Sequence, residues 1–140
     1  MMMRMETNVS LTLEEKLDAL TPFFENDARV LGVWLFGSQA DGTATEQSDI
    51  DLAVLFAREM TLEEELRFET LICDLLRTDD VDIVNLNQAN LLLRFRGIAG
   101  KLLYERDFAQ VGDFVEETLI EFRDFYLRAQ AIRQDYLVTW

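Results

Sequence analysis

Apolar and polar positions along this chain follow two different periods, and the switches between them mark its elements. Leu13, Leu17 and Leu20 recur at helical spacing behind Thr12, a residue suited to cap a helix start, so a helix is predicted over residues 11–26. Val30–Phe36 is a continuous apolar run that stops at Gly37, as expected of a strand buried on both faces. A short helix is predicted to begin at Ser38, and Ile50–Phe56 reads as a second strand with Asp51 inside it. Thr61-Leu62-Glu63-Glu64 opens an amphipathic helix whose stripe is expected to run through Leu62, Leu66, Ile72 and Leu76. Residues 81–86 supply a third strand, residues 88–95 a short helix and residues 101–104 a fourth strand.

Residues 113–138 read as one long helix. Val115, Leu119, Phe122 and Tyr126 fall on one stripe, but Phe114, Ile120, Phe125, Leu127, Ile132 and Tyr136 spread over other faces. A single stripe against a single sheet would not use them all. Two readings follow: a partner or homo-oligomer contact, or a helix that wraps around the core. The whole is an α+β chain whose 140 residues fit one domain, with an N-terminal helix at 11–26, a core at 28–107 and a C-terminal helix at 113–138.

Composition narrows the chemistry. The chain carries 27 acidic and 13 basic residues and a formal charge of −14. That balance argues against nucleic-acid binding over a broad surface, which relies on clustered Lys and Arg. It fits a basic protein partner, or plain solubility. There is no histidine, which removes His general bases, His triads and His-ligated zinc and leaves carboxylates as the acid, base and metal groups near neutral pH. The single Cys73 falls among Leu71, Ile72, Leu75 and Leu76 and reads as a buried, inert thiol. No apolar stretch approaches the roughly 20 residues that cross a bilayer, and the N-terminal Met-Met-Met-Arg-Met lacks a signal-peptide core, so a cytoplasmic location with no membrane contact is expected.

The chemistry concentrates at Leu35-Phe36-Gly37-Ser38 and, after residues 39–47, at Ser48-Asp49-Ile50-Asp51-Leu52. A strand ending in Gly-Ser at a helix start offers backbone N–H groups and a hydroxyl to phosphate oxygens. On a strand, side chains two apart share a face about 6.6 Å apart. Asp49 and Asp51 can therefore converge on metal while Ile50 and Leu52 enter the core. Hard carboxylate oxygens suit Mg²⁺, which is held by one or two carboxylates plus substrate phosphates. Asp82, on a neighbouring apolar run, offers a third carboxylate. Each residue has a plainer alternative: a turn or cap for Asp49, a solvated acid beside Asp79 and Asp80 for Asp82, an N-cap for Ser38 and a strand-ending turn for Gly37. Gly42 and Ser48 read as loop residues that shape the approach to Asp49.

This pattern resembles the signature of the polymerase-β-like nucleotidyltransferase superfamily, and the chain looks like its minimal, MNT-type members. The resemblance extends from about Ala28 to Asp107 and takes in Val81-Asp82-Ile83-Val84-Asn85-Leu86-Asn87, Arg94-Phe95-Arg96 and Gly100 through Asp107. It implies a mixed sheet of about four strands flanked by helices. It further implies that Asp49, Asp51 and Asp82 hold two Mg²⁺ ions, with Asp82 also serving as acid or base, and that Gly37 and Ser38 contact the phosphates of ATP. MNT-type members are often antitoxins paired with a HEPN-domain ribonuclease toxin. The implied activity is transfer of AMP from ATP to a hydroxyl of that partner, a tyrosine near its ribonuclease site. The chain departs from many relatives just after Gly-Ser, where Gln39-Ala40-Asp41-Gly42 replaces one or more arginines. Arg94, Arg96 and Lys101 are the cations that could compensate. Two other functions fit the motif: an antitoxin that acts by binding alone through its C-terminal helix, and a small-molecule nucleotidyltransferase of the aminoglycoside-modifying kind.

Overall fold

The computed structural model describes residues 12–37 and 49–138. The helix expected at Ser38 therefore lies outside the described residues. Those described form four helices and four strands, in the order α1 (Leu13–Glu25), β1 (Val30–Phe36), β2 (Ile50–Phe56), α2 (Leu62–Leu76), β3 (Val81–Asn85), α3 (Leu91–Ile98), β4 (Lys101–Glu105) and α4 (Phe108–Val138).

The strands make one mixed sheet in the order β3-β2-β1-β4. β1 pairs antiparallel with β2 and with β4, while β2 and β3 run parallel. The unbroken apolar runs of β1 and β2 belong to the two central strands, whose residues must satisfy a core on either side. On one face Val33, Leu35, Leu52, Val54 and Phe56 pack with Leu20 and Phe24 of α1 and Phe68, Ile72 and Leu76 of α2. On the other, Trp34, Phe36, Ala53 and Leu55 pack with Leu86, Ile98 of α3 and Val111, Phe114 and Val115 of α4. The sheet is thus a central layer between two helical ones.

Local chemistry fixes the ends. Thr12 and Glu15 form a capping box at α1, and Thr61 and Glu64 form another at α2, each satisfying two backbone donors the helix start leaves over. Arg106 clamps the far end of α1: its guanidinium donates to the carbonyls of Phe24, Asp27 and Val30 at 2.9, 3.0 and 2.9 Å. A cation there also suits the negative end of the helix dipole. Beyond β3, the Asn87 side chain closes the end of β2 as a strand residue would. Its Oδ1 accepts from the Phe56 N–H and its Nδ2 donates to the Phe56 carbonyl, both at 2.8 Å.

Two expected stripes shift. In α2 the buried residues are Phe68, Ile72 and Leu76, whereas Leu62 and Leu66 are exposed. Leu62 and Leu66 instead border a small cavity of about 200 Å³ with Phe56 and Ile83 of the sheet. The C-terminal helix starts at Phe108, not at residue 113, because Asp107 caps it by accepting the Ala109 N–H at 2.9 Å. Gly112 lies within the helix on an exposed side and does not end it. The stripe of α4 that meets the body is Val111, Val115, Thr118 and Phe122, with Phe122 stacked on Phe95 of α3 at 3.8 Å, while Leu119 and Tyr126 are exposed. Cys73 is half-buried against the α1–α2 core, and burial first, then Glu69, Asp79 and Asp74, raises its thiol pKa. That keeps the thiolate scarce and the residue inert.

Candidate functional site: an aspartate pair under a glycine turn

Strand alternation decides where the acids point. In β2, Ile50, Leu52, Val54 and Phe56 face the α1–α2 core, so Asp51, like Ala53 and Leu55, belongs to the face that carries α3 and α4. In β3 the partition repeats, with Val81 and Ile83 on the first face and Val84 on the second, which puts Asp82 on the same side as Asp51. The parallel register pairs Asp51 directly with Asp82. Asp51 also stands opposite Phe36 at the end of β1. The sheet therefore brings together Asp51, Asp82 and the Gly37 turn, with Asp49 just ahead of β2.

Gly37 is required by its geometry. Its φ of +74° lies in the left-handed region that side chains disfavour, and a Cβ added there would overlap the Asp51 carboxylate. The backbone at the end of β1 thus lies directly against one of the acids. Ser38 lies outside the described residues.

Asp51 interrupts an otherwise buried strand and is half-buried itself. Burial holds its pKa above the ordinary carboxylate value of 3.8, and the neighbouring charges of Asp82 and then Asp49 push it in the same direction. Arg96 of α3 acts in the opposite sense. A carboxylate both desolvated and repelled by two others is stabilised by a cation between them. The donor set is all oxygen, as Mg²⁺ prefers. Among the described residues no three acids already stand close enough to enclose one ion, so the side chains of Asp49 and Asp82, both exposed, have to turn inward to do so.

The cations sort themselves as well. Arg94 pairs with Glu121 of α4 at 3.0 Å and is spent on joining α3 to α4. Arg96 and Lys101 instead line an open cleft of about 530 Å³ together with Phe36, Gly37, Phe95 and Gly100. The close approach of two glycines beside them to the sheet brings them there. A Cβ at Gly97 would press on Ala53 at 2.9 Å, and one at Gly100 would run into the Leu35 carbonyl. Only glycine lets α3 and the start of β4 approach the central strands so closely.

Residues 18–109 match the family model described as polymerase beta, nucleotidyltransferase. The chain belongs to this nucleotidyltransferase family, and its likeness is to the minimal, MNT-type members. A toxin–antitoxin complex solved with AMP-PNP superposes with a TM-score of 0.68 at 26% identity, covering 91% of this chain and 99% of the other. A point mutant of the toxin–antitoxin pair MntA–HpeT gives 0.67 at 26% identity over the same shares of the two chains. A complex from Shewanella oneidensis of a tri-AMPylated HEPN toxin with an MNT antitoxin gives 0.62 at 25% identity, covering 89% and 95%. No protein with a curated description matches significantly.

Proposed function

We propose that the whole chain acts as one Mg²⁺-dependent nucleotidyltransferase domain, an antitoxin that transfers AMP from ATP to a hydroxyl, on a tyrosine, of a cognate HEPN ribonuclease toxin. The observation that carries this reading is the Asp51 carboxylate, desolvated, repelled by Asp82 and Asp49, and set under the Gly37 turn. The structural relatives bound to AMP-PNP and to an AMPylated toxin support the nucleotide and the partner.

In this scheme Asp49, Asp51 and Asp82 hold the metal, and Gly37 and Ser38 approach the phosphates. A pair of Mg²⁺ ions would supply charge neutralisation at the attacking and leaving oxygens. Asp82, exposed at the edge strand, takes the proton from the incoming hydroxyl. The hydroxyl oxygen forms a bond to the α-phosphorus, the bond from that phosphorus to the bridging oxygen breaks, and pyrophosphate leaves. A charged, bulky AMP group on the toxin then obstructs its RNA-binding surface. The acidic surface of the chain favours a basic partner over nucleic acid as acceptor.

One observation favours a second reading. Every residue of α4 from Arg123 to Asp135 is exposed, including Phe125, Tyr126, Leu127 and Ile132. That is roughly 20 Å of helix beyond the body with an apolar surface for a partner. A protein could neutralise a toxin by this contact alone. The deciding experiment incubates the chain with Mg²⁺, α-labelled ATP and the lysate of its own host beside an Asp49→Asn/Asp51→Asn control. A labelled protein band absent from the control supports transfer. Label in RNA, or none with intact partner capture, sinks it.

A further inference from the structure

We propose that Arg96 and Lys101, brought over the site from α3 and β4, grip the polyphosphate of the nucleotide and replace the cations missing after Gly-Ser; this rests on the nucleotidyl-transfer reading. A triphosphate with its metal still carries negative charge, and a chain of net charge −14 needs local cations to hold it. The segment Gln39-Ala40-Asp41-Gly42 contributes an acid and no base.

Three observations converge on Arg96 and Lys101. Both line the cleft that Gly37 opens into, and its volume of about 530 Å³ suits a small-molecule ligand. Gly37, whose backbone lies against the Asp51 carboxylate, lines the same cleft as the two cations, so the cleft borders that acid. Both positions depend on glycine neighbours, Gly97 against Ala53 and Gly100 against Leu35, which fix α3 and β4 too near the sheet for any larger residue. Phe95, on the same turn of α3 as Arg96, is stacked between the cleft and Phe122, which braces α3 from behind. The site thus has a rigid mount. Arg94, two residues away and engaged by Glu121, provides a control of the same chemistry outside the cleft.

The guanidinium of Arg96 can take two phosphate oxygens in one plane, and the ammonium of Lys101 acts as a point charge beside it. The contacts fall on the β- and γ-phosphates, so they serve ATP and the departing pyrophosphate and do little for AMP.

Calorimetric titration of the full chain with Mg²⁺-ATP, Mg²⁺-tripolyphosphate and AMP tests this. Arg96→Ala and Lys101→Ala are expected to weaken ATP and tripolyphosphate about tenfold or more each, with AMP little changed, Arg96→Lys partly restoring affinity and Arg94→Ala leaving it unaltered. Circular dichroism and melting of each variant separate a lost contact from a lost fold. Unchanged ATP and tripolyphosphate affinity in the folded Arg96→Ala/Lys101→Ala protein overturns the inference and leaves the transfer reading standing. A wild-type chain that binds neither ligand overturns both.

Discussion

Asp51 carries an electrostatic cost in the folded protein. Its folded pKa lies above its unfolded one, so the ionised carboxylate opposes folding at neutral pH, and that cost disappears as pH falls through the folded pKa. Asp51→Asn is therefore expected to raise the melting temperature of the metal-free protein while abolishing any further rise on adding Mg²⁺. Calorimetric scans with and without Mg²⁺ check both, and a wild type indifferent to Mg²⁺ argues against the metal site. The same substitution is expected to lower transfer by about 100-fold or more, since it removes one of the proposed metal ligands. Gly37→Ala forces a side chain into the left-handed region and against the Asp51 carboxylate. It is expected to cost about 1–2 kcal/mol in urea unfolding, together with nucleotide affinity. That Asp51 would stand inside a buried strand, with Gly37 ending the strand before it, was legible in sequence, because an acid within an apolar run is costly without a purpose. The placement of Arg96 and Lys101 was not. It depends on how closely Gly97 and Gly100 let two elements approach the sheet, a tertiary distance that no local pattern encodes.

Among elements, α2 shows how a local signal and a long-range one diverge. Its start was readable from Thr61 and Glu64, whose reciprocal hydrogen bonds are a property of neighbouring residues. Its buried stripe was not, because tertiary packing decides which face of the helix meets the sheet, and it buries Phe68, Ile72 and Leu76 while Leu62 and Leu66 stay exposed. Both central strands were legible to their ends, as continuous apolar runs can only be doubly covered. Glu64 adds a pH dependence. The Arg58 ion pair at 2.8 Å, with the Thr61 N–H behind it, lowers its pKa to about 2. A folded pKa below the unfolded value contributes stability above about pH 4.5 that is lost as pH falls toward 2. Urea midpoints of wild type and Glu64→Gln are expected to differ at pH 7 and to converge over that window. At the other end of β2, Asn87→Ala leaves the Phe56 N–H and carbonyl without partners and is expected to cost about 1–3 kcal/mol.

At the scale of the whole molecule, the two ends of the function separate in space. The acids and the cleft lie where β1, β2, β3 and α3 meet, whereas exposed apolar residues of α4 continue beyond Phe122, which stacks on Phe95 of α3. The apolar residues spread over several faces of the helix expected at 113–138 left two readings open, a partner contact or a helix wrapped around the core, and only the structure shows which turns of the 31-residue helix are uncovered. Replacing Phe125 and Ile132 by Ser is expected to weaken partner capture in a pull-down about tenfold or more while leaving ATP affinity unchanged. Covalent transfer by the proposed Asp49–Asp51–Asp82 centre is read by intact mass spectrometry of the partner. After co-expression with the wild-type chain, the partner is predicted to gain mass in whole adenylyl units, and after co-expression with Asp49→Asn/Asp51→Asn to gain none. A partner neutralised equally by both chains and unmodified by either would rule out covalent transfer.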